Sequence, residues 1–122
     1  MLAILVTGAR DWTDKQLVYD TLCKYKGQDV MLIHGGCVGL DQIAGEIGFN
    51  LGFHIDVSLP DWKKYGRSAG PIRNKLMIDK LIKYQNKQMF AFHDNINLSK
   101  GTKNCCVQAY KVGIDAIIIT HK

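Results

Sequence analysis

Short apolar runs alternate with stretches of helical periodicity along the chain. "LAILVT" (Leu2 to Thr7) is a continuous apolar run, the signature of a buried strand. From about Asp14, a candidate N-cap, to Lys26, Leu17, Val18, Leu22 and Tyr25 recur at helical spacing, and Gly27 ends the helix. "DVMLIH" (Asp29 to His34) is a second strand. Leu40 to Leu51 reads as a helix whose small residues Ala44, Gly45 and Gly48 allow close packing on a sheet, with Gly52 at its end. "FHIDVS" (Phe53 to Ser58) alternates, as a strand nearer an edge does.

"LPDWKKYGRSAGP" is irregular. Pro71 sits where a helix can begin, because its missing N–H costs nothing there. Ile72, Leu76, Ile78, Leu81 and Ile82 carry that helix to about Tyr84. "KQMFAFH" (Lys87 to His93) is a fourth strand and "DNINLSKGT" a loop. Thr102 to Val112 is a fourth helix, stopped by Gly113, and the β-branched "IDAIIIT" (Ile114 to Thr120) is a last strand. Strands separated by helices of this length imply right-handed crossovers. The expected fold is therefore α/β: a Rossmann-like parallel sheet of about five strands with helices on both faces. Repeats, linkers and low-complexity segments are missing from the pattern, so residues 1–122 are expected to form one domain.

The junctions are asymmetric. Helix-to-strand connections are short, whereas strand-to-helix connections are long and carry Gly, Arg, Trp, Asp and Ser. In a parallel sheet the long loops all emerge at the carboxyl edge, where ligands bind. "LIHGGCVGLD" is one of them. Gly35, Gly36 and Gly39 there are either a tight structural turn or a cradle of bare N–H groups for phosphate. Asp41 is either a helix cap or an acceptor for ribose hydroxyls. In "VTGARDW", Thr7 and Gly8 close the first strand, Arg10 can swing over the crevice, and Trp12 packs on the next helix or stacks on a base.

"DWKKYGRSAGPIRN" offers flat rings at Trp62 and Tyr65 and bidentate forks at Arg67 and Arg73, and Gly66 and Gly70 let its backbone bend. Arg73 in a first helical turn would oppose the dipole, which marks it as functional unless it pairs with Asp61 or Asp94. "SKGT", with Ser99, Gly101 and Thr102, opens a helix as a simple cap or a second anion site.

The net charge of +5 permits an anionic partner without naming one. The lysines form no continuous stripe, so single-stranded nucleic acid ranks last among partners. No run approaches the ~20 apolar residues of a membrane span. The apolar start lacks a basic leader and a cleavage site, so a cytoplasmic protein is expected. Cys23, Cys37, Cys105 and Cys106 have no metal-ligand spacing. They read as reduced, mostly buried thiols, and no metal is expected.

Four motifs in order, "VTGARDW", "GGCVGLD", "DWKKYGRSAGPIRN" and "SKGT", resemble the SLOG superfamily, specifically its small stand-alone YspA-like members. The resemblance spans nearly the whole chain. It implies a Rossmann-like fold binding a nucleotide or nucleotide-derived molecule, with no further cofactor required. The ligand-binding residues it points to are Gly8, Arg10, Gly35, Gly36, Gly39, Asp41, Trp62, Arg67, Gly70, Arg73, Asn74, Ser99, Gly101 and Thr102.

Relatives include the Lonely-guy phosphoribohydrolases and the single-strand-binding protein DprA. The former carry Pro-Gly-Gly-x-Gly-Thr and then a catalytic glutamate. Here "NINLSKGTKNCC" keeps only Gly101-Thr102, and Asn104 lies where the acid is expected. Asp41 and Asp94 are the substitute acids. A sensor, carrier or sequestering protein is the first reading and N-glycosidic hydrolysis the second. A homo-oligomer whose neighbouring subunit completes the crevice stays open.

Overall fold

A computed structural model of the chain describes residues 1–121. Five strands form one sheet: β1 (Leu2–Gly8), β2 (Val30–His34), β3 (His54–Val57), β4 (Asn86–Phe92) and β5 (Ile117–Ile119). Their order is β3-β2-β1-β4-β5, and every neighbouring pair is parallel. The helices are α1 (Lys15–Leu22), α2 (Leu40–Asn50), α3 (Trp62–Tyr65), α4 (Ala69–Leu81) and α5 (Gly101–Lys111). Among the described residues, no helix is long and apolar enough to cross a membrane.

The period of two in β1 divides the core. Ile4 and Val6 face one cluster with Val18 and Leu22 of α1 and Leu40 and Ala44 of α2. Ala3 and Leu5 face the other, with Met77, Ile78 and Leu81 of α4 and Cys105 and Ala109 of α5. Both faces are covered, which is why the strand reads as an unbroken apolar run. Fully burying each of the Val, Leu, Ile and Met side chains among them stabilises the fold by about 1.5–3 kcal/mol.

Several boundaries differ from the sequence pattern. The stretch expected to be irregular contains α3 and a 3₁₀ turn at Gly66–Ser68. Asp61 starts α3 by accepting the Lys64 N–H at 3.1 Å. α4 begins two residues before Pro71, because the third helical position also lacks an intrahelical acceptor for its N–H. β5 is only three residues long. Ile114 is pulled under α5 instead, its N–H bonded to the Ala109 carbonyl. Only Cys105 is buried among the four free cysteines; Cys23, Cys37 and Cys106 are half-buried, since each lies at an element's end or flank.

Candidate functional site

The strand order reverses at β1. β2 and β3 extend to one side of it and β4 and β5 to the other, so the loops leaving β1 and β4 part at the carboxyl edge. This topological switch point is where open α/β sheets hold ligands.

Two loops are locked together beside the gap. The Ala9 N–H donates to the Phe92 carbonyl at 3.0 Å, and the Leu40 N–H donates to the Ala9 carbonyl at 3.1 Å. Gly39 has φ 82°, and a Cβ there would fall on the Arg10 carbonyl. Glycine is needed for both the dihedral and the contact. Arg10 is thereby fixed at the rim with its side chain exposed.

Asp41 does not cap its helix. It is the second residue of α2, and its Oδ2 turns back to accept N–H bonds from Gly35 (3.1 Å) and Cys37 (3.2 Å), shaping the glycine loop. Oδ1 has no protein partner among the described residues, and it is not sealed from solvent. Burial pushes the Asp41 carboxyl up to about 6, against the pull of the loop N–H groups and Arg73. Beneath the same loop, the His34 Nδ1 accepts the Gly36 N–H at 3.0 Å, and burial lowers the pKa of this imidazole.

Arg73 is the fifth residue of α4 rather than part of its first turn, and it is 7% exposed. It pairs with neither Asp61 nor Asp94. Nη1 donates to the Gly35 carbonyl at 2.6 Å, Nε donates to Asn74 Oδ1 at 3.0 Å, and both terminal nitrogens lie 3.7 Å from Cys37 Sγ. A Cβ at Gly35 would fall on the guanidinium, so the glycine makes room for the arginine. Its hydrogen-bond partners are a carbonyl, an amide and a thiol, and Asp41 feels its charge without forming an ion pair with it, so the guanidinium has no carboxylate bonded to it. Asn74 passes the grip on to α5, with Nδ2 bonded to the Gly101 carbonyl (3.2 Å) and Asn104 Oδ1 (3.1 Å). Asn104 also accepts from Gln108 at 2.7 Å, so the position of the missing acid ties α4 to α5.

These groups surround an inner cavity of about 350 Å³. Gly8, Arg10, Asp41, Arg73, Asn74, Ser99, Gly101 and Thr102 all line it. Ser99 Oγ accepts the Thr102 N–H at 3.0 Å, the capping geometry. The Thr102 hydroxyl, on a residue 4% exposed, has no partner among the described residues and opens to the cavity. α5 points its N-terminus at the same space, adding partial positive charge.

Thr7, Ala9, Asp11, Cys37, Met77, His93 and Lys100 complete the lining. Thr7 and His93 stand at the carboxyl ends of β1 and β4, the position that could have flagged them. His93 Nδ1 accepts the Asn95 N–H at 2.9 Å, which leaves Nε2 to carry the proton.

Other expected residues lie elsewhere. Gly35, Gly36 and Trp62 line a separate outer cavity, and Gly70 sits beside Trp62. Arg67 is exposed on the 3₁₀ turn and lines neither cavity. Asp94 lies in a third cavity, where it pairs with the His121 Nδ1 at 2.7 Å. Trp12 is packed, 6% exposed and edge-on to Phe92 at 5.6 Å.

Residues 2–65 match the YAcAr family, described as YspA, cpYpsA-related SLOG family. The chain is 31% identical over 125 residues to the Gene 61 protein of Mycobacterium phage D29, covering 96% of this chain and 95% of that protein. Its fold is similar to that of DNA processing protein A (DprA) from Streptococcus pneumoniae, with a TM-score of 0.56 at 11% identity. That likeness covers 96% of this chain and 58% of DprA, and at this identity it speaks to the fold alone. With a family match over half its length and a relative of nearly equal span, the chain belongs to the YspA-related SLOG family.

Proposed function

We propose that the inner cavity binds the phosphorylated ribose end of a nucleotide-derived small molecule, with the protein acting as a sensor, carrier or sequestering protein. One observation carries this reading: a buried guanidinium with no carboxylate within ion-pair distance and the Thr102 hydroxyl, which has no protein partner among the described residues and is open to the cavity, face the space at which α5 begins. A phosphate satisfies all three at once. The free Oδ1 of Asp41 then accepts from a ribose hydroxyl.

Calorimetry with ribose 5-phosphate and AMP tests the reading. A charge-assisted hydrogen bond contributes about 1.5–3 kcal/mol, so Arg73→Ala weakens both ligands roughly ten- to hundredfold. Thr102→Val breaks no side-chain hydrogen bond within the protein and weakens both by about threefold to tenfold. Binding untouched by either change, or no binding to the wild type, refutes the reading.

Asp41 favours one second reading. A carboxyl held near 6 in a nucleotide cavity can exchange a proton during N-glycosidic hydrolysis. Chromatography of incubated nucleotides would then show free base, lost in Asp41→Asn. Absence of base release returns the site to pure binding.

A further inference from the structure

The inner cavity borders an outer one of about 380 Å³, and the two share Arg10 and Cys37 in their walls. Their walls differ in character. The outer cavity is lined by Val38, Leu59, Pro60 and Trp62 together with the glycine loop. Val38 is 58% exposed, Leu59 70% and Trp62 51%, an apolar surface left open to water. The far end of the Trp62 ring lies over Gly70, where even an added Cβ would stand 3.7 Å away. The rest of the indole, on a residue half-exposed to water, is available to a flat partner.

We propose that the outer cavity seats the nucleobase of a nucleoside diphosphate whose phosphates pass beneath Arg10 into the inner cavity. The proposal rests on the reading of the inner cavity as a phosphate site. Two features select the occupant. The apolar seat adjoins the charged one at Arg10 and Cys37, so one ligand with a planar apolar half and an anionic half can span both. The cations are also spread along the route: Arg10 at the shared rim, Arg73 at the inner floor and Lys100 at the start of α5. That spacing suits more than one phosphate.

The third cavity, about 340 Å³ and adjoining through Ala9, Asp11 and His93, is the competing seat. Asp11, Asp14 and Asp94 line it, and its one tryptophan, Trp12, is already packed against Phe92. Asp11 belongs to the inner lining as well, so Asp14 and Asp94 are the acids that set this cavity apart, and Trp12, 6% exposed, has no open face to give a base.

The chain has two tryptophans, one buried and one half-exposed, so fluorescence quenching separates them. The test titrates ADP and ribose 5-phosphate into wild type, Trp62→Ala, Trp62→Phe and His121→Ala. Stacking of one base predicts about a tenfold loss of ADP affinity in Trp62→Ala. Trp62→Phe restores most of it, and ribose 5-phosphate binds all four proteins alike. ADP quenches the wild type and leaves the remaining emission of Trp62→Ala unchanged. Equal ADP affinity in wild type and Trp62→Ala, with ribose 5-phosphate still bound, overturns the base seat and leaves the inner phosphate site standing. A loss of ADP affinity confined to His121→Ala moves the base to the acidic cavity and also overturns it. Failure of both probes to bind the wild type removes the phosphate site and this proposal with it.

Discussion

Replacing Asp41 with asparagine isolates the cost of a buried charge. The amide oxygen can still accept the Gly35 and Cys37 N–H groups, so the loop keeps its bonds while the charge disappears. Burial disfavours the ionised form and pushes the folded carboxyl from an ordinary 3.8 up to about 6. A raised pKa contributes stability that is complete below 3.8 and lost as pH rises through about 6. At about 1.36 kcal/mol per unit, the full loss is about 3 kcal/mol. Roughly half is already spent by pH 5, leaving about 1.4 kcal/mol between pH 5 and pH 8. Urea unfolding of wild type and Asp41→Asn at intervals across that range gives the difference directly. Groups shared by both proteins, His34 among them, cancel in it. Asp41→Asn should gain on the wild type by about 1.4 kcal/mol from pH 5 to pH 8. A difference that stays flat across the range would show that the Asp41 carboxylate is as comfortable in the fold as in water, and the reasoning fails.

His34 titrates in the opposite sense. Its lowered pKa contributes stability above about 6.5, lost as pH falls, because burial disfavours the protonated ring, which also can no longer accept the Gly36 N–H. Melting curves from pH 7.5 to pH 5 should fall more steeply for wild type than for His34→Gln; parallel curves would contradict this. Gly39→Ala should destabilise by more than the about 1–2 kcal/mol that a left-handed dihedral costs, since it also drives a methyl into the Arg10 carbonyl. Gly52→Ala, at φ 85° with open space around it, should cost only the dihedral, and equal losses in the two variants would remove the steric contribution.

The fold could be read from the chain because β1, β2 and β4 are buried on both faces, and burial writes itself as uninterrupted apolar runs. α3 was unreadable for the opposite reason. Four residues with Lys63 and Lys64 at their centre show no periodicity, and the turn exists because Asp61 caps it. At the site, the motifs led to Arg73 and Asn74, but not to their geometry. The side chain of Arg73 reaches a carbonyl thirty-eight residues away in sequence. His93 and Thr7 look like ordinary strand residues until the strand order puts their ends at the gap. Trp62 and Arg67, close in sequence to Arg73, were expected beside it. The intervening short helix and 3₁₀ turn carry them away from the inner cavity.

β1 lies at the centre of the sheet, and its two partners come from distant parts of the chain. Leu2 pairs with Val30 on one side and with Asn86 on the other. During synthesis the first side can assemble early, but the second must wait for most of the polypeptide to leave the ribosome. The cavity where the loops leaving β1 and β4 part, walled also by the start of α5, is thus a late feature, and nothing can occupy it before most of the molecule is in place. A small molecule that seats there would act as a late clamp on maturation, slowing unfolding without hastening the slow, long-range closure that precedes it.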